Sequence, residues 1–222
     1  MIKLKNGMAH NNQQHLKIDF RSAEPSDARL ASRLLFDTFP KMATYVFGLG
    51  DAQRAKQILA DSFAMEGHRF SYEYTQIGCQ GNAEVGILIS YPGRKLNKLE
   101  WGLAKAIHKN YSFWEKFRLI QRSLPMLFIQ EAAFDEYLLS NLAVKKSRRS
   151  QGIGEQVLSH AEEKAIQAGY HKLALMVEID NQDARRFYER HGFSIKAIHL
   201  EPNQRVKHLG PGYQRMVKVL EK

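Results

Sequence analysis

Arg149-Ser150-Gln151-Gly152-Ile153-Gly154 is the segment of this chain whose residue types and spacing could cradle a phosphate. Two glycines one residue apart let the backbone turn tightly and bring its N–H groups close to an anion, where a side chain would block the approach. Behind them Ile153, Val157, Leu158, Ala161 and Ala165 recur at helical spacing. A helix starting at the glycines adds the positive end of its dipole to the same spot. Glycines at this spacing also fit an ordinary turn, so the flanks must decide. A dinucleotide site would want a third glycine where Val157 stands, and a P-loop would want Gly-Lys-Ser/Thr, which does not follow. Further on, Asn181-x-x-Ala184-x-x-Phe187-Tyr188-x-x-x-Gly192-Phe193 adds a phenol at a set distance from the cradle.

The elements around these residues read as strand, glycine turn, helix, strand, a βαβ unit. An apolar run from Leu138 to Val144 leads through Lys145-Lys146-Ser147-Arg148 into the cradle. The helix stops near Gly169, and Leu173, Leu175, Val177 and Ile179 alternate on the next strand. Asp183 to Arg190 reads as a short helix. Phe193 to Leu200 and Tyr213 to Leu220 alternate as closing strands.

Upstream, Leu16 to Arg21 predicts a strand. Pro25 opens a helix carrying Leu30, Ala31, Leu34 and Leu35, and Asp51 caps another with Ala55, Ile58, Leu59 and Phe63 on one face. Phe70, Tyr72 and Tyr74, then Val85, Ile87, Ile89 and Tyr91, predict a hairpin about a Gly78 to Asn82 turn, with Gly86 suited to close packing or a bulge. Residues 94–130 change to helical spacing, with Pro125 as a breaker. They are expected to form a helical insertion between the third and fourth strands, covering one face or mouth of the sheet. Trp101, Tyr111 and Trp114 at helical spacing favour helix packing over a substrate cage. His108 there is expected at the surface. The fold class expected is α/β (α+β): a mixed, mostly antiparallel sheet of about seven strands flanked by helices. One domain is expected over 16–222, preceded by a flexible polar tail over 1–15.

The Arg-x-x-Gly-x-Gly cradle together with the Asn181 to Phe193 pattern resembles the GNAT superfamily of acyl-CoA-dependent N-acetyltransferases. The order of elements matches from Leu16 to Leu220, and the specific part is Leu142 to Phe193. The resemblance implies acetyl-CoA as co-substrate. Leu142, Ala143 and Val144 would then offer their backbone to the pantetheine arm. Backbone N–H groups of Arg149, Ser150, Gln151, Gly152, Ile153, Gly154 and Glu155 would bind the pyrophosphate, with positive charge from Lys145, Lys146, Arg148 and Arg149. Asn181 would help hold the cofactor. Tyr188 would be the general acid that protonates the departing thiolate, since a phenol of pKa about 10 holds its proton at neutral pH. The family's acid on the strand before the cradle falls here at Leu138, which cannot serve. Glu136, two residues earlier, and Glu178, on the neighbouring strand, are the candidate bases. Because of Leu138, a catalytically silent acyl-CoA-binding or sensing domain is the alternative to an enzyme.

The 222 residues carry 33 Lys+Arg against 23 Asp+Glu, a net charge of +10 that favours an anionic partner such as a phosphorylated cofactor. Nucleic acid is disfavoured, since only Tyr111 to Arg122 interleaves aromatic and basic residues. A lone cysteine, Cys79, excludes an intrachain disulfide and a multi-cysteine zinc site, and the nine histidines lack ligand-like spacing. No metal is expected. No apolar run reaches the length of a membrane span, and a cytoplasmic location is expected. The acceptor would be a small-molecule amine or an amine of a protein or peptide, and a homodimer is compatible with the family.

Overall fold

The computed structural model describes residues 17–124, 126, 129–202 and 208–221. The predicted tail, Leu16 and Pro125 lie outside them. Seven strands form one sheet: β1 Asp19–Ser22, β2 Thr75–Gln80, β3 Ala83–Pro92, β4 Tyr137–Val144, β5 Lys172–Glu178, β6 Ser194–Leu200 and β7 Gly212–Val219. Their spatial order is β1-β2-β3-β4-β5-β7-β6. Every neighbouring pair is antiparallel except β4 and β5. This is the expected mixed, mostly antiparallel sheet.

Helices cover both faces. On one side α1 (Ala28–Thr38), the single turn α2 (Pro40–Met42), the following π-turn Ala43–Phe47 and α3 (Ala52–Phe63) pack with Ile77, Ile87, Ile89, Leu138 and Ala174. On the other, α6 (Ile153–Gln167) buries Ile153, Val157, Leu158, Ala161 and Ala165 against Leu88, Leu139, Leu173, Leu175 and Met216. Period-2 alternation within each strand supplies both cores: Leu138 faces the first, and Tyr137 and Leu139 face the second. Asp51 caps α3 as expected, its carboxylate accepting from the N–H groups of Gln53 and Arg54 at 2.7 and 3.1 Å. The helical insertion between β3 and β4 consists of α4 (Leu96–Ile107) and α5 (Phe113–Ser123), and α7 (Gln182–Arg190) lies between β5 and β6.

The first hairpin is displaced from its expected position. Tyr72–Tyr74 forms a 3-10 turn, because the Ser71 hydroxyl accepts from the Glu73 N–H at 3.2 Å, and pairing begins only at Thr75. Gly78 therefore lies inside the strand, opposite Gly86. At Gly86 the close approach is real, since a Cβ there would stand 2.7 Å from the Ala143 carbonyl oxygen. The two insertion tryptophans also depart from expectation. Tyr111 is a packing residue whose hydroxyl donates to the Phe47 carbonyl at 2.6 Å, whereas Trp101 and Trp114 are 73 % and 75 % exposed. Helical spacing alone does not say which face is inward.

Candidate active site

β4 and β5 are paired only at Tyr137 with Leu173 and Leu138 with Ala174. Beyond those pairs the strands diverge. The cause is local: Ile89 of β3 pairs with Asn141 and Ser90 with Leu139, so Ser140 is an extra residue in β4 and bends it. β5 meanwhile stays paired with β7 along its whole length, from Lys172–Val219 to Glu178–Tyr213. A cavity of about 680 Å³ occupies the gap. Its walls are Leu139 to Val144 of β4 and Leu175 to Glu178 of β5, and Arg149, Ser150, Gly152, Gly154, Glu155, Asn181, Ala184, Phe187 and Tyr188 close one end. The inner edge of β4 thus presents backbone groups that β5 does not take up, which is the requirement for an amide-bearing ligand to add as a strand.

The cradle is built as the residue types require. Lys146–Arg148 makes a 3-10 turn, after which Ser150 (φ 60°) and Gly152 (φ 74°) take left-handed conformations and α6 begins. Alternation of ordinary and left-handed backbone aims successive N–H groups inward, the nest geometry that holds anions. No side chain caps α6, so its first N–H groups are free for a ligand. Arg149 braces the turn by donating from Nε to the Val144 carbonyl at 3.3 Å. Gln151 is exposed and Ile153 is buried in the core; neither side chain lines the cavity, so only their backbones can serve it. Lys145 lies 3.7 Å from Glu84 and Lys146 3.5 Å from Asp37, which moderates the positive charge of the turn.

α7 brings Asn181 and Tyr188 to the same cavity. Asn181 is the N-cap of α7, its Oδ1 accepting from the Ala184 N–H at 3.1 Å. Tyr188 packs on Phe187 and Phe193, with ring centroids 5.2 and 5.5 Å apart, and its hydroxyl makes no hydrogen bond to a described residue. Burial pushes this phenol above its ordinary pKa, so it is protonated at neutral pH.

The two candidate bases part company. Glu178 lines the cavity from the end of β5. Its Oε1 is buried without a hydrogen-bond partner among the described residues, and its other oxygen lies 3.9 Å from Lys41, which is itself bound to Asp180. Burial raises its carboxyl pKa, with Lys41 opposing. Across the β5–β7 ladder stands Tyr213, whose hydroxyl is also buried and has no partner among the described residues. Glu136, by contrast, precedes β4 and does not line the cavity. Its carboxylate accepts from the Ala133 N–H at 2.7 Å and from the Arg215 guanidinium, a buried ion pair that pins the entry to β4. Strand parity placed Glu136 with Leu138; the cross-sheet partner on β7 removed it from the site.

Several lining residues had not been singled out in the sequence. Arg69 pairs with Glu131 at 2.6 and 2.8 Å and with Glu100, and reaches the Ser140 hydroxyl at 3.3 Å. Ser140 donates to Asn141 at 3.0 Å, and Asn141 donates to Thr38 at 2.8 Å. This network lies beneath the bulge. A polar Ser140-Asn141 step in an otherwise apolar strand was the available signal. Arg69, Glu131 and Tyr213 carried none. Cys79 is a partly buried free thiol outside the cavity, and no group of three or more potential metal ligands occurs among the described residues.

A seven-stranded sheet split between its fourth and fifth strands, with a phosphate cradle at the split, has the fold of the GNAT acetyltransferases, and residues 123–193 match the model of the Acetyltransferase (GNAT) family. That segment holds the cradle and α7. Over 55 residues the chain is 44 % identical to the aminoalkylphosphonate N-acetyltransferase of Salmonella typhimurium, a stretch that is 25 % of this chain and 36 % of that relative. The match therefore spans about a third of the relative's length. Among solved structures, an N-acetyltransferase from Staphylococcus aureus Mu50 superposes with a TM-score of 0.67 at 21 % identity, covering 90 % of this chain and 99 % of the other. Another acetyltransferase structure gives 0.66 at 22 % identity, covering 91 % and 100 %. At these identities the structures speak for the fold alone. No helix among the described residues is long and apolar enough to cross a membrane.

Proposed function

We propose that this protein transfers an acetyl group from acetyl-CoA to a primary amine by direct attack. The observation that carries the proposal is the gap between β4 and β5, lined by the N–H cradle that follows β4 and by Glu178 at the end of β5. In this reading the cradle N–H groups from Arg149 to Glu155 bind the pyrophosphate, and the open edge of Leu142 to Val144 hydrogen-bonds the pantetheine arm. The thioester carbonyl then lies in the gap near Tyr188. The acceptor nitrogen forms its bond to the acyl carbon as the C–S bond breaks, the departing sulfur takes the Tyr188 proton, and the proton then shed by the acylated nitrogen restores the phenol through water.

Attack requires a neutral amine, and Glu178 supports that step. Glu178 lines the cavity, its Oε1 has no hydrogen-bond partner among the described residues, and a raised pKa makes it a better proton acceptor than an exposed glutamate. It would take the ammonium proton, directly or through water, while the Tyr213 hydroxyl orients the amine. The cations bordering this end are already matched, Arg69 by Glu131 and Glu100 and Lys41 by Asp180. That arrangement suits an acceptor presenting an ammonium group better than one presenting the phosphonate named for the Salmonella relative. The acceptor can be a small amine or an amine on a peptide.

A thiol-release screen with acetyl-CoA across alkylamines, amino acids, aminoalkylphosphonates and peptides tests both parts. Release with at least one amine supports the enzyme. Tight acetyl-CoA binding without release for any amine would instead establish the silent acyl-CoA-binding domain suggested by Leu138.

A further inference from the structure

Helix α5 turns a stripe of large apolar side chains away from the protein. Phe113, Trp114, Phe117 and Ile120 on the helix, and Leu124 at its C-cap, are 75, 75, 66, 59 and 47 % exposed. Phe113, Phe117, Ile120 and Leu124 follow i, i+4, i+7 and i+11 spacing and so lie along one face. The helix cannot roll to bury them. Its opposite side is fixed by Arg54, which donates to Glu115 at 2.6 Å, and by Arg122, which donates to the Tyr45 carbonyl at 2.6 Å. Scattered exposed apolar residues need no explanation, but a continuous aromatic stripe on one helix marks an interaction surface.

The charge of the insertion that carries the stripe points to the partner. Residues 94–124 hold eight Lys or Arg and two Glu, a net charge of +6. Both glutamates are engaged, Glu100 by Arg69 and Glu115 by Arg54. Lys98, Lys105, Lys109 and Arg118 are exposed and make no ion pair with a described residue. We propose that α5 docks the protein peripherally on an anionic lipid surface, with the Phe113 to Leu124 stripe entering the headgroup region and these cations meeting the phosphates. Aromatic and aliphatic side chains on one face with a basic surround are what such binding requires. A second copy fits poorly, since it would oppose +6 with +6 over a stripe only about 16 Å long at 1.5 Å per residue. A nucleic acid would match the cations but leaves Ile120 and Leu124 without a base-stacking role. Docking would also place the cavity near the bilayer, because Met126, just beyond α5, lines it.

The test is sedimentation of the full chain with vesicles of phosphatidylcholine alone or with one third phosphatidylglycerol. The expected result is about tenfold more bound protein on the anionic vesicles, falling as salt is raised. The double variant Trp114→Glu/Phe117→Glu should lose about tenfold of that binding while keeping the wild-type melting curve, since both sites face solvent. Three results would overturn the proposal: no preference for anionic vesicles, equal binding by the variant, or a dimer or RNA complex that the variant abolishes without any vesicle binding.

Discussion

At the scale of single residues the proposed site rests on two ionisable groups, Tyr188 and Glu178, whose surroundings push them the same way on the pKa scale, to different effect. Burial raises the Tyr188 phenol further above neutral pH, so the group proposed as proton donor carries its proton there. Replacing Tyr188 with Phe should lower kcat by roughly a hundredfold, in the range for loss of a general acid, while the acetyl-CoA dissociation constant stays nearly unchanged. A large loss of binding in this variant would assign Tyr188 to cofactor recognition instead. Burial raises the Glu178 carboxyl as well, and here the useful form is the deprotonated one. For the wild type, kcat/KM should therefore rise as pH increases through that raised pKa, and fall on the acid side as Glu178 takes up its proton. In Glu178→Gln that limb should vanish and leave only the titration of the amine. Superimposable pH profiles for the two proteins would remove Glu178 from the chemistry. Glu136 shows how far residue identity can mislead: on parity it was an equal candidate, yet Arg215 and the Ala133 N–H use its carboxylate structurally.

Among the elements, the decisive one is β4. It leaves β5 after Leu138 because Ser140 bulges, and it is held against β3 by the absence of a side chain at Gly86. In Gly86→Ala the new methyl would meet the Ala143 oxygen at 2.7 Å, an approach that rigid strand backbones cannot accommodate. The expected cost is about 1–3 kcal/mol in chemical denaturation. A parallel loss of acetyl-CoA affinity is expected, because the displaced residues form the open edge. If Gly86→Ala lowered stability but left affinity intact, the β4 backbone would not be part of the binding site. The cradle, by contrast, was readable directly: Gly152 adopts φ 74° and α6 starts one residue later, as the two glycines and the periodic residues behind them require. The neighbouring Asn181 to Tyr188 motif was legible for the same reason, since its cap and helix are set within eight residues of chain. Tyr72–Tyr74 was misread as strand because alternation in three aromatic residues does not reveal a serine cap at their start.

For the molecule as a whole, the sheet is two halves joined where β4 and β5 touch at only two residue pairs, with α6 packed across the join. A ligand that adds as a strand would tie the halves together. Acetyl-CoA at about a hundred times its dissociation constant should then stabilise the folded state by about 2.7 kcal/mol, seen as a higher melting temperature. Desulfo analogues and analogues lacking the pyrophosphate would separate the two ends of the site. An analogue lacking the pyrophosphate should stabilise least, since the cradle is the most preorganised part.

What the sequence determined by itself was local: the cradle, the α7 motif, the two-period strands and the helical insertion, each set by residues close along the chain through turn conformation, capping and side-chain periodicity. Only the tertiary structure decided which groups meet. The divergence of β4 from β5 arises from a bulge against β3 on one side and full pairing with β7 on the other. That Glu178 lines the cavity and Glu136 does not, and the company of Arg69, Glu131 and Tyr213, follow from strands that become neighbours only when the sheet closes. The inward or outward turn of Trp101, Tyr111 and Trp114 is of the same kind, because a helical period records that a helix has faces but burial depends on what packs against them.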